Sequence, residues 1–176
     1  MGKEEKVKEI LIRLKKIYPK PITALNFKNP FELLIATIMA AQCTDVLVNK
    51  VTPELFKKYP DAASFAKASV PEIDKMISKV TFHGNKAKNI VAASRMITDE
   101  FNGKVPDNME ELDALPGVAR KTANVVLGNA FGKNEGIVVD THVMRLAPKL
   151  GLTENNNDPV KIEEELMKIV PRNEWA

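Results

Sequence analysis

The chain has 176 residues, enough for one ordinary domain or two small lobes, and its 44% apolar and 28% charged content suits a globular protein with a buried core, not a disordered or collagenous chain. A formal net charge of +3 is compatible with a polyanionic partner without requiring one. A single cysteine, Cys43, excludes an intramolecular disulfide, a cysteine-rich zinc site and an all-cysteine iron–sulfur cluster.

The first residues, Met1-Gly2-Lys3-Glu4-Glu5-Lys6, are charged and lead into an amphipathic pattern, not the apolar stretch of a secretory signal. Lys6 breaks the pattern for myristoylation at Gly2. No apolar run reaches membrane-spanning length, so the expectation is a cytoplasmic protein with no membrane partner. Val7, Ile10, Leu11, Leu14 and Ile17 recur at three- and four-residue steps and predict an amphipathic helix over about residues 3–18.

Asn29-Pro30-Phe31-Glu32 is a helix start: Asn29 caps, Pro30 takes the first helical position and Glu32 reaches back. The run from Phe31 to Gln42 is apolar almost all round and belongs in a core. Cys43 follows it and reads as a small buried hydrophobe. Thr44 opens a helix toward Val51, and Pro53 a short one ending near Tyr59. Asp61 and Pro71 begin two more. Gly84 or Asn85 precedes a longer helix through Lys88, Ile90, Val91, Ser94 and Ile97, closed by Gly103. Asp107 with Glu110 forms another cap pair, and Asp158-Pro159 opens the last helix, with Ile162, Leu166 and Ile169 inward. Ile137-Val138-Val139 is the only β-like run and is too brief to build a sheet. The fold class is all-α.

Leu115-Pro116-Gly117-Val118-Ala119-Arg120-Lys121-Thr122 marks a turn between two helices, one ending before Leu115 and one starting near Ala119. Gly117 supplies the positive φ of a tight hairpin. Outward N–H groups at such a hairpin and helix start, with the positive end of the helix dipole, suit an anion such as a DNA phosphate. Pro-Gly alone equally marks a plain corner between helices. Lys121 falls in the first helical turn, where the dipole, Arg120 and desolvation all favour a free amine over an ammonium; alternatively it is a solvated surface lysine. In Val139-Asp140-Thr141-His142, Asp140 is placed to cap the next helix; a carboxylate there can also stabilise developing positive charge. A lone His142 does not make a metal site.

Leu115-Pro116-Gly117-Val118-Ala119-Arg120-Lys121-Thr122-Ala123-Asn124-Val125-Val126 resembles the helix-hairpin-helix motif of the endonuclease III family of DNA glycosylases. Val139-Asp140-Thr141-His142 resembles the same family, and the likeness extends over essentially the whole chain. It implies two helical lobes with DNA in a groove between them, one over 22–134 and the other combining 1–21 with 135–176. It further implies a bifunctional glycosylase and AP lyase acting on damaged, oxidised pyrimidines. Lys121 would be the nucleophile and Asp140 its acidic partner. Leu115, Gly117, Val118, Ala119, Arg120 and Thr122 would hold DNA at the hairpin. Gln42, in Ala40-Ala41-Gln42-Cys43-Thr44-Asp45, would fill the gap left by a flipped nucleotide. Phe82 falls where the family carries an apolar wedge, although Thr81 and His83-Gly84 depart from its pattern; Lys86 and Lys88 would touch phosphate.

Family members carry a further four-cysteine loop that holds a [4Fe–4S] cluster. With one cysteine the expectation here is no cofactor and no metal ligands. The implied partner is double-stranded DNA with damaged bases or abasic sites, met by a monomer at the nucleoid. Two alternatives remain: a glycosylase using activated water alone, against which Lys121 argues, and a non-catalytic helix-hairpin-helix DNA-binding module.

Overall fold

A computed structural model describes residues 2–19, 21–155 and 157–175. They form helices α1 (Lys3–Ile17), α2 (Pro30–Ala40), α3 (Asp45–Lys58), α4 (Ala62–Lys67), α5 (Val70–Met76), α6 (His83–Glu100), α7 (Met109–Asp113), α8 (Arg120–Val126), α9 (Thr141–Lys149) and α10 (Pro159–Ile169). A π-helical turn, Leu127–Phe131, continues α8, and a 3-10 turn spans Arg172–Glu174. Among the described residues there is no strand, and 137–139 lies outside any helix or strand. The chain divides into two compact units, Ala24–Phe131 and Met1–Thr23 with Gly132–Ala176, where boundaries at 22 and 134 were expected.

Local chemistry sets the helix starts. The Asn29 side chain accepts from the Glu32 N–H at 2.9 Å, and the Glu32 carboxylate returns to the Lys28 N–H at 2.7 Å, one residue earlier than a capping box would. Thr44, Asp61, Ser69 and Asp158 cap α3, α4, α5 and α10. At α7 the cap is Asn108, not Asp107: its side-chain oxygen accepts from Glu111 N–H at 2.9 Å while its amide donates to the Glu111 carboxylate at 2.6 Å. Gly103, with φ +75°, ends α6 by donating its N–H to the Ile97 carbonyl at 2.9 Å.

Pro53 does not open a helix of its own. α3 runs unbroken through it, although proline removes the hydrogen bond to the Asn49 carbonyl. Val48, Thr52 and Leu55 are all buried, and their four- and three-residue steps make one stripe that crosses the proline. Packing therefore overrides the local break.

In the larger unit, α2 is the centre, as its all-round apolar sequence predicts: Leu33, Leu34, Ile35, Ala36 and Met39 are completely buried. They pack with Ile90 and Ile97 of α6, Leu112 of α7, and Ala123, Val126 and Leu127 at the end of α8. Each buried leucine or isoleucine contributes roughly 2 kcal/mol from area removed from water. Phe65 of α4 meets Phe31 edge-on with ring centres 5.5 Å apart. This packing fixes α6 and α8, which carry Lys86 and Lys121.

In the smaller unit, Val7 of α1, Val139, Ala147 of α9, Leu152, Ile162 and Leu166 form a second core, with Ile10, Leu11 and Ile169 against it. Leu14 and Ile17 share the expected inner face of α1 but are exposed, because the core is reached only by the first half of the helix.

Candidate functional site

Two α-helices begin without a side-chain oxygen on their first N–H groups in the larger unit, α6 and α8. At α8 the reason is in the sequence: the N-cap is Ala119, which has no polar atom to offer. The turn before it is closed by Gly117 at φ +78°. The Val118 N–H donates to the Leu115 carbonyl at 3.0 Å, so it is used inside the turn and is not an outward donor as expected. Leu115 and Val118 are also buried, and their side chains anchor the hairpin in the core. What faces outward is Gly117 and Ala119, with Arg120 and Thr122 half-buried behind them. A helix start of this kind presents backbone donors and a partial positive charge to an anion.

Lys121 occupies the first turn of α8 and its side chain is exposed. The fold therefore does not supply the desolvation expected of it. Asp140 lies in the other unit as N-cap of α9, and one of its oxygens accepts from the N–H groups of both His142 and Val143 at 2.9 Å. That contact fixes the carboxylate and leaves its second oxygen for other work. His142 is exposed beside it.

Gln42 and Phe82 share an unusual backbone. Both are left-handed, at φ +54° and +57°, a region costing a residue with a side chain roughly 1–2 kcal/mol. Gln42 follows the end of α2, and Phe82 precedes the first residue of α6. Both are exposed; Phe82 shows 60% of its surface and so is not a core residue. Beside it, His83 Nδ1 lies 2.5 Å from the Asp74 carboxylate. Helix α6 starts at His83, so Gly84 and Asn85, one of which was expected to precede the helix, both lie inside it.

Lys86 departs from its expected role. It is only 6% exposed, and its ammonium donates to the Met39 carbonyl at 2.7 Å and to the Ala41 carbonyl. Burial pulls the ammonium below its ordinary 10.5, and the neighbouring Cys43 acts in the opposite sense. Such a side chain is not available to phosphate. Its register could have revealed this, since Lys86, Ile90, Ser94 and Ile97 form one buried stripe of α6. Lys88, by contrast, is exposed. Asn89 was also missed: a Cβ on Gly117 would stand 2.7 Å from the Asn89 Cβ and Nδ2. No local signal encodes that contact.

The residues present do not fit a [4Fe–4S] cluster. Cys43 is the chain's one cysteine, and among the described residues no three of His, Cys, Asp and Glu are grouped to hold a metal ion. No helix is long and apolar enough to cross a membrane, among the described residues.

α7, the turn closed by Gly117 and the uncapped start of α8 form a helix-hairpin-helix arrangement. Residues 35–172 match the model of the HhH-GPD superfamily of base excision DNA repair proteins. Endonuclease III of Synechocystis sp. is 54% identical over 174 residues, covering 99% of this chain and 79% of that protein. Endonuclease III of Escherichia coli is 43% identical, covering 93% and 76% respectively. A trapped endonuclease III–DNA covalent intermediate superimposes with a TM-score of 0.93 at 42% identity, covering 99% of this chain and 82% of that one. A non-covalent endonuclease III–DNA complex gives 0.92 at the same identity, covering 99% and 81%. The chain belongs to the HhH-GPD superfamily and, within it, to the endonuclease III family.

Proposed function

We propose that Lys121 is the nucleophile and Asp140 the acidic group of this enzyme, a DNA glycosylase and AP lyase of base excision repair. The observation that carries the reading is the exposed Lys121 amine in the first turn of a helix whose N-cap, Ala119, leaves the helix start to an external anion. A phosphate held there by backbone N–H groups places a neighbouring sugar near the amine without reading base sequence.

The Nζ lone pair forms a bond to C1′ of the deoxyribose as the glycosidic bond breaks, and the electron pair leaves with the base, which takes up a proton. The sugar ring opens to a Schiff base on Nζ. Loss of a C2′ proton then expels the 3′ phosphate, cutting the strand by β-elimination. Asp140 supplies negative charge for the cationic sugar and takes up the proton that the attacking amine sheds. Its capping contacts hold it in one orientation for that task. Gln42 and Phe82 open the duplex, Gln42 filling the stack and Phe82 wedging a base step, because C1′ is not reachable in stacked DNA. The substrate class is DNA carrying oxidised pyrimidines or abasic sites, the chain acts as a monomer in the cytoplasm, and it uses no cofactor of its own.

Borohydride trapping on duplex DNA with a thymine glycol or an abasic site tests the assignment. A covalent adduct is expected, with none from Lys121→Ala. DNA binding without adduct or base release would instead identify a non-catalytic binding module.

A further inference from the structure

Gln42 and Phe82 belong to different helix ends, yet one side chain connects them. The Lys86 backbone N–H donates to the Phe82 carbonyl at 3.1 Å, closing the first turn of α6. Its ammonium takes the carbonyls of Met39 and Ala41, at the C-terminal end of α2 directly before Gln42. The last carbonyls of a helix lack intrahelical partners and carry the negative end of its dipole, so a cation satisfies both needs. Lys86 pairs with no carboxylate among the described residues, and burial of an ammonium is unfavourable unless its donors are used. Left-handed residues with side chains persist only where their surroundings over-determine them. Of the three such residues described, Asn102 lies in the turn that ends α6, and the other two are the pair that this lysine connects.

We propose that Lys86 is a positioning residue for duplex opening: by tying the end of α2 to the start of α6, it fixes Gln42 and Phe82 relative to each other as one two-pronged tool. The inference rests on the reading of these two residues as the ones that enter the base stack. Loss of the ammonium frees the two carbonyls and lets the 41–43 turn move independently of the 81–83 turn. Base unstacking and kcat then fall together, with a smaller change in KM.

The test uses the full chain and a duplex carrying 2-aminopurine beside a tetrahydrofuran abasic analogue, whose fluorescence rises when the purine unstacks. At saturating protein, Lys86→Met is expected to lower that rise at least fivefold and to lower kcat for thymine glycol release tenfold or more. Lys86→Arg, which retains donors for both carbonyls, is expected to restore half or more of each. Lys86→Gln replaces Lys86→Met as the reading if circular dichroism shows the latter unfolded. Gln42→Ala and Phe82→Ala are run in parallel, and each should lower the fluorescence rise. A full rise with Lys86→Met while both of these lose it would overturn the positioning role. A full rise with both of them would overturn the assignment of the two prongs, and the positioning role with it.

Discussion

The Asn89 side chain occupies the space that a Cβ on Gly117 would need. The nearest approaches are 2.7 Å to its Cβ and Nδ2 and 2.9 Å to its Cγ. Glycine at 117 is thus required twice, by φ +78° and by the closeness of α6 to the hairpin. Gly117→Ala should cost about 2 kcal/mol or more, since backbone strain and overlap add. Adding Asn89→Ala should recover only part of that, because the Cβ of residue 89 remains in place. Chemical denaturation of the single and double variants measures both values. A Gly117→Ala protein as stable as the parent would show that the hairpin can shift freely.

The cap that Asp140 supplies is separable from the chemical role proposed for it. Asparagine caps a helix about as well as aspartate, so Asp140→Asn should alter stability by no more than about 0.5 kcal/mol. Asp140→Ala, without the acceptor used by His142 and Val143, should cost about 1 kcal/mol. Base release should fall by about 10²–10³-fold in both, as expected when charge aimed at a cationic transition state is removed. Thermal midpoints set against single-turnover rates separate the duties. A fast Asp140→Asn enzyme would mean that the cap is its whole role.

Pro53 interrupts the hydrogen-bond ladder of α3 at an exposed position. Pro53→Ala should restore a bond to the Asn49 carbonyl and raise stability by about 1 kcal/mol, the helical gain exceeding the added freedom of the unfolded chain. A lower thermal midpoint in the variant would reverse that balance.

Glu165 gives the smaller unit an acid-sensitive contact. Its carboxylate accepts from the Asn155 side chain and the Glu154 N–H, both at 2.6 Å, and these bonds hold it below the ordinary 4.5, with burial opposing them. The unfolded chain therefore takes up the proton first as pH falls. The contribution is complete above about pH 4.5 and is lost as pH drops through the lower folded value. Glu165→Gln should lower the thermal midpoint at neutral pH, and the gap from the parent should close on acidification below that value. A gap independent of pH would assign the stability to packing.

The helices were legible where one residue decides the matter. Asn29, Thr44, Asp61 and Asp158 each put a side-chain oxygen at a helix start, and the structure uses each one. Asp107 and Asn108 are adjacent and nearly equivalent as caps, so local chemistry did not choose between them. Pro53 misled because its local effect is strong while the stripe that overrides it spans two turns. At the site, Gly117 and the capping position of Asp140 followed from local geometry. The chemical roles proposed for Lys121 and Asp140 came from resemblance, Lys121 through the twelve-residue string at 115–126 and Asp140 through Val139-Asp140-Thr141-His142, since an exposed lysine and an N-cap are ordinary objects. The burial of Lys86 was legible in its register with Ile90, Ser94 and Ile97, but its carbonyl partners, like the contact of Asn89 with Gly117, lie on elements distant in sequence that no local pattern encodes.

The turns at 42 and 82 are both left-handed. Their conformational cost is met by the packing and hydrogen bonds of the fold that holds them. On the proposed reading of these two residues, a surface shaped by folding would interrogate a duplex without rearranging itself, and the dwell time at each base pair would depend on how readily that pair yields. A weakened pair gives way sooner than a sound one, so on that reading the mechanical softness of damage would be part of how it is found.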